Sequence, residues 1–180
     1  MNPPKNAVVL CLDEDGPLSV RPYSGSTWAE SGYPKRIPAT YSRTEPVVQM
    51  VGAFNPHDGT GFGKCYKVKN FETFLDFLVE VERHFPDVEV HIIWDNLSAH
   101  KKAQRIFNIY NPDNKFSFHY IPSNASWLNL IEPWFGVINR RALNNSDYKT
   151  HEQVVVALYQ AILYSNVHAK PYKWKKEATA

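Results

Sequence analysis

Cysteine is scarce in this 180-residue chain: only Cys11 and Cys65 occur, each in an apolar, strand-like segment with no close Cys or His partner. That excludes a disulfide scaffold and a zinc site, and both residues are expected to be reduced core thiols. Long hydrophobic runs are also missing. Nothing approaches the ~18 consecutive apolar residues of a membrane span, and the opening M-N-P-P-K-N lacks the apolar segment of a signal peptide. The expectation is a soluble, cytoplasmic protein with no membrane partner. Internal repeats and low-complexity tracts are absent too, so solenoid and linker-rich architectures are set aside.

What is present suits one domain over residues 1–180. The composition is 43% hydrophobic and 14% aromatic, and a chain of this length buries roughly 70% of its unfolded surface. The net charge of +2 conceals an asymmetry. Residues 1–95 carry nine Lys/Arg against thirteen Asp/Glu, a balance of −4, whereas residues 96–180 carry eleven against five, a balance of +6. A basic C-terminal half beside an acidic cluster suits a phosphodiester substrate. From charge counts alone a solvated surface is the default reading.

Two segments stand out. Ile92-Ile93-Trp94 is closed by Asp95, and Glu132 stands among Leu128, Leu130, Ile131, Trp134 and Phe135. A lone acid in an apolar run is costly to bury, so two of them point to a site that needs negative charge, most simply one for a divalent metal. A third apolar segment, Ala7 to Leu12, delivers Asp13 at its end, followed by Glu14 and Asp15. Strand alternation puts Asp13 and Asp15 on the face of Val9 and Cys11 and turns Glu14 away.

Further along, Gly16 to Pro46 is rich in Pro, Gly, Ser and Thr and reads as a long loop. Val47 to Phe54 reads as a strand, Asn55 to Gly61 as a turn and Phe62 to Tyr66 as the returning strand. Asn70 can cap a helix running to Phe85, since Phe71, Phe74, Leu75, Leu78 and Phe85 recur at helical spacing. Glu89 to Trp94 is a strand apolar enough for burial on both faces. A helix from about Ala99 to Tyr110, a strand Phe116 to Tyr120, and helices from near Asn129 and from Thr150 complete the chain. Thr150 and Gln153 have capping-box spacing.

The acid after the first strand, D-N-L-S-A-H at Asp95 to His100 and L-N-L-I-E at Leu128 to Glu132 resemble the catalytic core of the mariner-type superfamily of DDE transposases, in its bacterial insertion-sequence branch. The resemblance runs from about Ala7 to about Val167 and includes a Trp-and-Gly segment, Thr27 to Pro34. Asp13, Asp95 and Glu132 match the family's acidic triad, the last two lying 37 positions apart. Pro133-Trp134 follows Glu132 where many relatives have a basic residue. Related transposases carry N-terminal helix-turn-helix modules, and none fits before Ala7. The resemblance implies an α/β ribonuclease H-like fold: a mixed five-stranded sheet, its first three strands antiparallel, with helices on both faces.

It also implies a magnesium-dependent (or manganese-dependent) transposase holding two ions through Asp13, Asp95 and Glu132, which cuts DNA at the element's ends and joins them to target DNA. Partners would be DNA, further copies of the chain on that DNA and a separate recognition domain, at the bacterial nucleoid. Asp15 is the fallback for Asp13. The alternatives are a nuclease of the same fold that stops at hydrolysis, and a non-catalytic DNA-binding or interfering remnant. Asp95-Asn96 could equally be a turn or helix cap. Asn96 and Asn129 are candidates to orient Asp95 and Glu132. His100 reads first as structural, with contact to a carboxylate or phosphate as the alternative. Trp127 and Trp134 read as packing anchors rather than base-stacking platforms. Arg140-Arg141 and the tail from Lys170 to Lys176, with Tyr172 and Trp174, either hold DNA phosphates and bases or are solvated.

Overall fold

The computed structural model describes residues 6–41, 44–122 and 125–171. Five strands and four helices follow one another: β1 (Ala7–Leu18), β2 (Val48–Phe54), β3 (Gly61–Tyr66), α1 (Phe71–His84), β4 (Glu89–Trp94), α2 (Ser98–Tyr110), β5 (Phe116–Tyr120), α3 (Ile131–Leu143) and α4 (His151–Val167). A single 3-10 turn, Ser126–Leu128, precedes α3. The strands form one sheet in the order β3-β2-β1-β4-β5. β1, β2 and β3 pair antiparallel, while β4 and β5 join parallel to β1 and to each other.

Alternation along the strands divides the core in two. Leu10 and Leu12 of β1, with Val90, Ile92 and Trp94 of β4, pack against Phe74, Phe77, Leu78 and Val81 of α1 and against Ala103 and Phe107 of α2. Cys11, Met50 and Phe54 face the other way, onto Ile131, Trp134, Phe135 and Ile138 of α3 and onto Val154, Leu158 and Ile162 of α4. Both cysteines are free thiols, and burial pushes Cys11 up to about 11 and Cys65 up to about 12. The expected cap on α1 is there in full. Asn70 Oδ1 accepts from Thr73 N, and Thr73 Oγ1 accepts from Asn70 N. Thr150 caps α4, but Gln153 turns its amide oxygen to Lys149 N instead of closing the box.

Three expectations need correcting. β1 does not end at Leu12; it runs six residues further, Asp13 opposite Gly52 and Leu18 opposite Val48, with a register irregularity between Asp15 and Leu18. Gly16-Pro17, expected as the start of the long loop, is instead a break in register within a strand that still finds a partner, and Gly16 takes φ +141° there. The long loop therefore begins at residue 19. Secondly, β4 is fully buried on one face only: Val90, Ile92 and Trp94 are enclosed, but His91 and Ile93 are half-buried, because α3 and α4 pack chiefly on β1, β2 and β3. Thirdly, Trp127 is no packing anchor, being 63% exposed, whereas Trp134 is buried against Phe54 and Phe135. Among the described residues no helix is long and apolar enough to cross a membrane.

Candidate active site

The parallel register of β1 and β4 sets Leu10 beside Ile92 and Cys11 beside Ile93. Two residues on along each chain come Asp13 and Asp95, so the fold brings these two positions onto neighbouring strands, near enough for their charges to repel. α3 brings the third. It lies close on the sheet because β2 and β3 have glycines beneath it: a Cβ on Gly52 would come within 2.8 Å of the Phe135 ring, and one on Gly61 within 2.6 Å of the Trp134 ring. Gly52 is the residue paired with Asp13.

The start of α3 is tied to β1 by Asn129, which is fully buried. Its Nδ2 donates to Leu12 O at 2.8 Å and to Asp13 Oδ2 at 3.1 Å, and its backbone carbonyl accepts from Glu132 N at 3.3 Å. Asn129 thus orients Asp13, and touches Glu132 only through the backbone. Glu132 itself is exposed, on the open side of α3, while Ile131, Trp134 and Phe135 turn to the core. The apolar run around it is a helix face, not a burial site for the acid.

The electrostatics mark this as an uncompensated cluster. Asp13 is only 8% exposed, and burial pushes its carboxyl up to about 8, repulsion from Glu14, Asp95 and Glu132 adding to the shift while a hydrogen bond from Glu14 N opposes it. Asp15 is raised by burial and by Glu132, with Asn139 offsetting part. Asp15 Oδ2 and Asn129 Oδ1 are buried without a hydrogen-bond partner. As the side chains stand, no three Asp, Glu, His or Cys residues among those described are grouped to hold one metal ion.

On the opposite face the picture inverts. Glu14 Oε1 receives Lys69 Nζ at 2.9 Å, and Glu14 Oε2 lies 3.1 Å from His100 Nε2. Burial acts to raise this carboxyl, but the bonds from His100 and Lys69 outweigh it and hold Glu14 down at about 2. His100 is fully buried, its ring stacked on Trp94 at 4.0 Å and meeting Phe74 edge-on at 4.4 Å. It has no access to a substrate phosphate. Its Nδ1 lies 2.6 Å from Asp95 Oδ1, within ion-pair distance though off the line of a good hydrogen bond. Asp95 Oδ1 also accepts from Leu97 N at 3.0 Å, the turn role open to it from sequence. The Glu14–His100 link escaped sequence reasoning because 86 positions separate its ends; the alternation that turns Glu14 away from Asp13 was the available signal.

Asn96 does not orient Asp95, because its amide donates to Ile121 O instead. Arg140 and Arg141 stand in the last turn of α3, remote from Glu132 in its first. They line a polar cleft of about 720 Å³ with Ser26, Asn144 and Gln160, and the Arg141 guanidinium covers the Tyr164 ring. Tyr172, Lys173, Trp174, Lys175 and Lys176 lie outside the described residues.

A family model described as "DDE superfamily endonuclease" matches residues 8–155. The chain belongs to that family. No curated protein sequence matches it. Among solved structures, the fold is that of the Mos1 transposase paired-end complex with left transposon end, with TM-score 0.58 and 14% identity over 91% of this chain and 53% of that one. The Mos1 strand transfer complex gives TM-score 0.51 and 13% identity over 95% and 56%. The mariner Mos1 paired end complex with Mg gives 0.52 and 16% over 88% and 49%. The chain thus spans about half the length of the solved chains it matches. The mixed sheet with helices on both faces is the ribonuclease H-like arrangement of this group.

Proposed function

We propose that this chain is the catalytic domain of a mariner-type transposase, from the bacterial insertion-sequence branch, and that Asp13, Asp95 and Glu132 hold divalent cations for DNA cleavage and strand transfer. The observation that carries the reading is the convergence of charge on Asp13: a buried carboxyl in mid-sheet, repelled by Asp95 and Glu132 from two other elements, with no basic side chain paired to it among the described residues. Such repulsion is relieved by a proton on Asp13 or by a bound cation, and an all-oxygen donor set suits a hard ion such as Mg²⁺. The buried, unpartnered Asp15 Oδ2 places further acceptor capacity beside Glu132.

When bound, a pair of such ions supplies stabilisation of the attacking and leaving oxygens in phosphoryl transfer. The chain's own residues do the rest. Asp13 is held by its pairing with Gly52 of β2 and by Asn129, Asp95 by the turn to Leu97 and by His100, and Glu132 by the first turn of a helix packed on the sheet. In the reaction, water cleaves a phosphodiester to leave a 3′-hydroxyl, which then attacks a phosphodiester of target DNA and expels its 3′-oxygen. Arg140 and Arg141 serve as phosphate contacts away from the reacting group, and copies of the chain assemble on the DNA.

The test is cleavage and joining of DNA bearing the element's ends, with Mg²⁺ or Mn²⁺. Asp95→Asn and Glu132→Gln are expected to reduce both products to background with the fold intact. Cleavage without joining in the wild type would favour a nuclease; residual cleavage near the wild-type level in either variant would remove that residue from the site. Absence of any cleavage by the wild type would favour a non-catalytic DNA-binding remnant.

A further inference from the structure

Glu14 is adjacent to Asp13 in sequence but serves the other face of the sheet. From there it reaches the site by a different route. The His100 ring stands between two carboxylates, its Nε2 3.1 Å from Glu14 Oε2 and its Nδ1 2.6 Å from Asp95 Oδ1. The imidazole has no freedom of its own: it is flat against Trp94, edge-on to Phe74 and closed to solvent. Lys69 holds the far oxygen of Glu14. A chain of contacts therefore runs Lys69, Glu14, His100, Asp95, rigid in its middle and ending on a carboxylate that the loop before α2 would otherwise leave loosely held. α2 has no side-chain cap of its own, and among the described residues Asp95 is held, besides His100, by one backbone amide.

We propose that Glu14 is a positioning residue, which acts through the buried His100 to fix the Asp95 carboxylate for cation binding. This rests on the function proposed above, in which Asp95 holds a metal. Partners that orient a liganding side chain typically change metal affinity by about 10- to 100-fold when removed. Glu14→Gln keeps the shape but loses the charge and one acceptor. His100→Asn keeps the Glu14–Lys69 pair and removes the link to Asp95.

The experiment is calorimetric titration of the full chain with Mn²⁺ alone, beside metal-free thermal unfolding of each variant. Both variants are expected to bind Mn²⁺ roughly 10- to 100-fold more weakly than wild type, and the Glu14→Gln loss should appear at a temperature where its metal-free form is fully folded. A merely structural Glu14 would lower the melting temperature and leave the affinity of the folded protein unchanged, and that result overturns the proposal. Wild-type affinity in folded His100→Asn would overturn it as well, even if Glu14→Gln failed to fold. Asp95→Asn separates the two levels. If the wild type binds and Asp95→Asn does not, unchanged affinity in Glu14→Gln or His100→Asn counts against the link alone; if the wild type binds no Mn²⁺, the metal-site reading and the link fall together.

Discussion

Asp13 and Glu14 are consecutive residues of one strand, both carboxylates and both largely buried, yet their surroundings push them in opposite directions, Asp13 up to about 8 and Glu14 down to about 2. The difference is one of partners. Glu14 faces α2 and the turn before α1, where His100 and Lys69 meet it; Asp13 faces the start of α3, where it meets Asn129 and the charges of Asp95 and Glu132. A compensated acid is part of the fold. An uncompensated one awaits a ligand, and its cost to the metal-free protein is the signature of the function proposed here.

That contrast can be broken most forcefully at Glu14. Truncation by Glu14→Ala leaves Lys69 and a buried His100 without their partner, and removing one member of a buried pair costs about 3–5 kcal/mol. Chemical denaturation should show a lower midpoint with little change in slope. A loss below about 1 kcal/mol would mean that the bonds to Glu14 contribute nothing net.

At Asp13 the sign reverses. With its folded pKa raised above the ordinary value of 3.8 to about 8, Asp13 favours the folded state fully only below 3.8, and that contribution is lost as pH rises through about 8. Asp13→Asn, tested without metal at pH 8, should therefore stabilise the protein, by about 1–3 kcal/mol on the scale of one unmatched buried polar group, and should flatten the decline of stability between pH 4 and 8. Glu14 works on the acid limb. Its folded pKa lies below the ordinary 4.5, so its contribution is complete above 4.5 and disappears as pH falls through about 2. Melting curves of Glu14→Gln against wild type should converge at the acid end and separate above it.

The smallest effect is expected at Lys69. Its side chain is 40% exposed, and partly exposed ion pairs contribute about 0–1 kcal/mol. Lys69→Met should thus cost no more than about 1 kcal/mol in thermal unfolding; a larger loss would move the weight of the Glu14 network from His100 to Lys69.

How much of this could be read from the chain depends on whether the cause is local. The strands Glu89–Trp94 and Phe116–Tyr120 end at the residues expected, because apolar runs bounded by turn residues leave little choice of register. The Asn70 cap was legible for the same reason. So were the order of elements and the side of the strand that Asp13 and Glu14 each take. β1 was not, since whether Gly16-Pro17 ends a strand or only disturbs its register depends on β2, more than thirty residues away. The burial of Asp13 and exposure of Glu132 invert what their sequence neighbours suggest, because helix and sheet faces, not adjacent residues, decide solvent access. Trp127 is exposed on a 3-10 turn whose direction is set by Asn129 gripping β1, a bond across 117 positions.

The account is tested most directly by thermal unfolding at pH 8 of wild type and Asp95→Asn, each with and without Mg²⁺. Asp13, Asp95 and Glu132 should share the ion, so saturating Mg²⁺ should stabilise the wild type by roughly 2.7 kcal/mol at a hundred times its dissociation constant and should leave Asp95→Asn nearly unmoved. An unchanged wild-type transition, or an equal shift in Asp95→Asn, would contradict it.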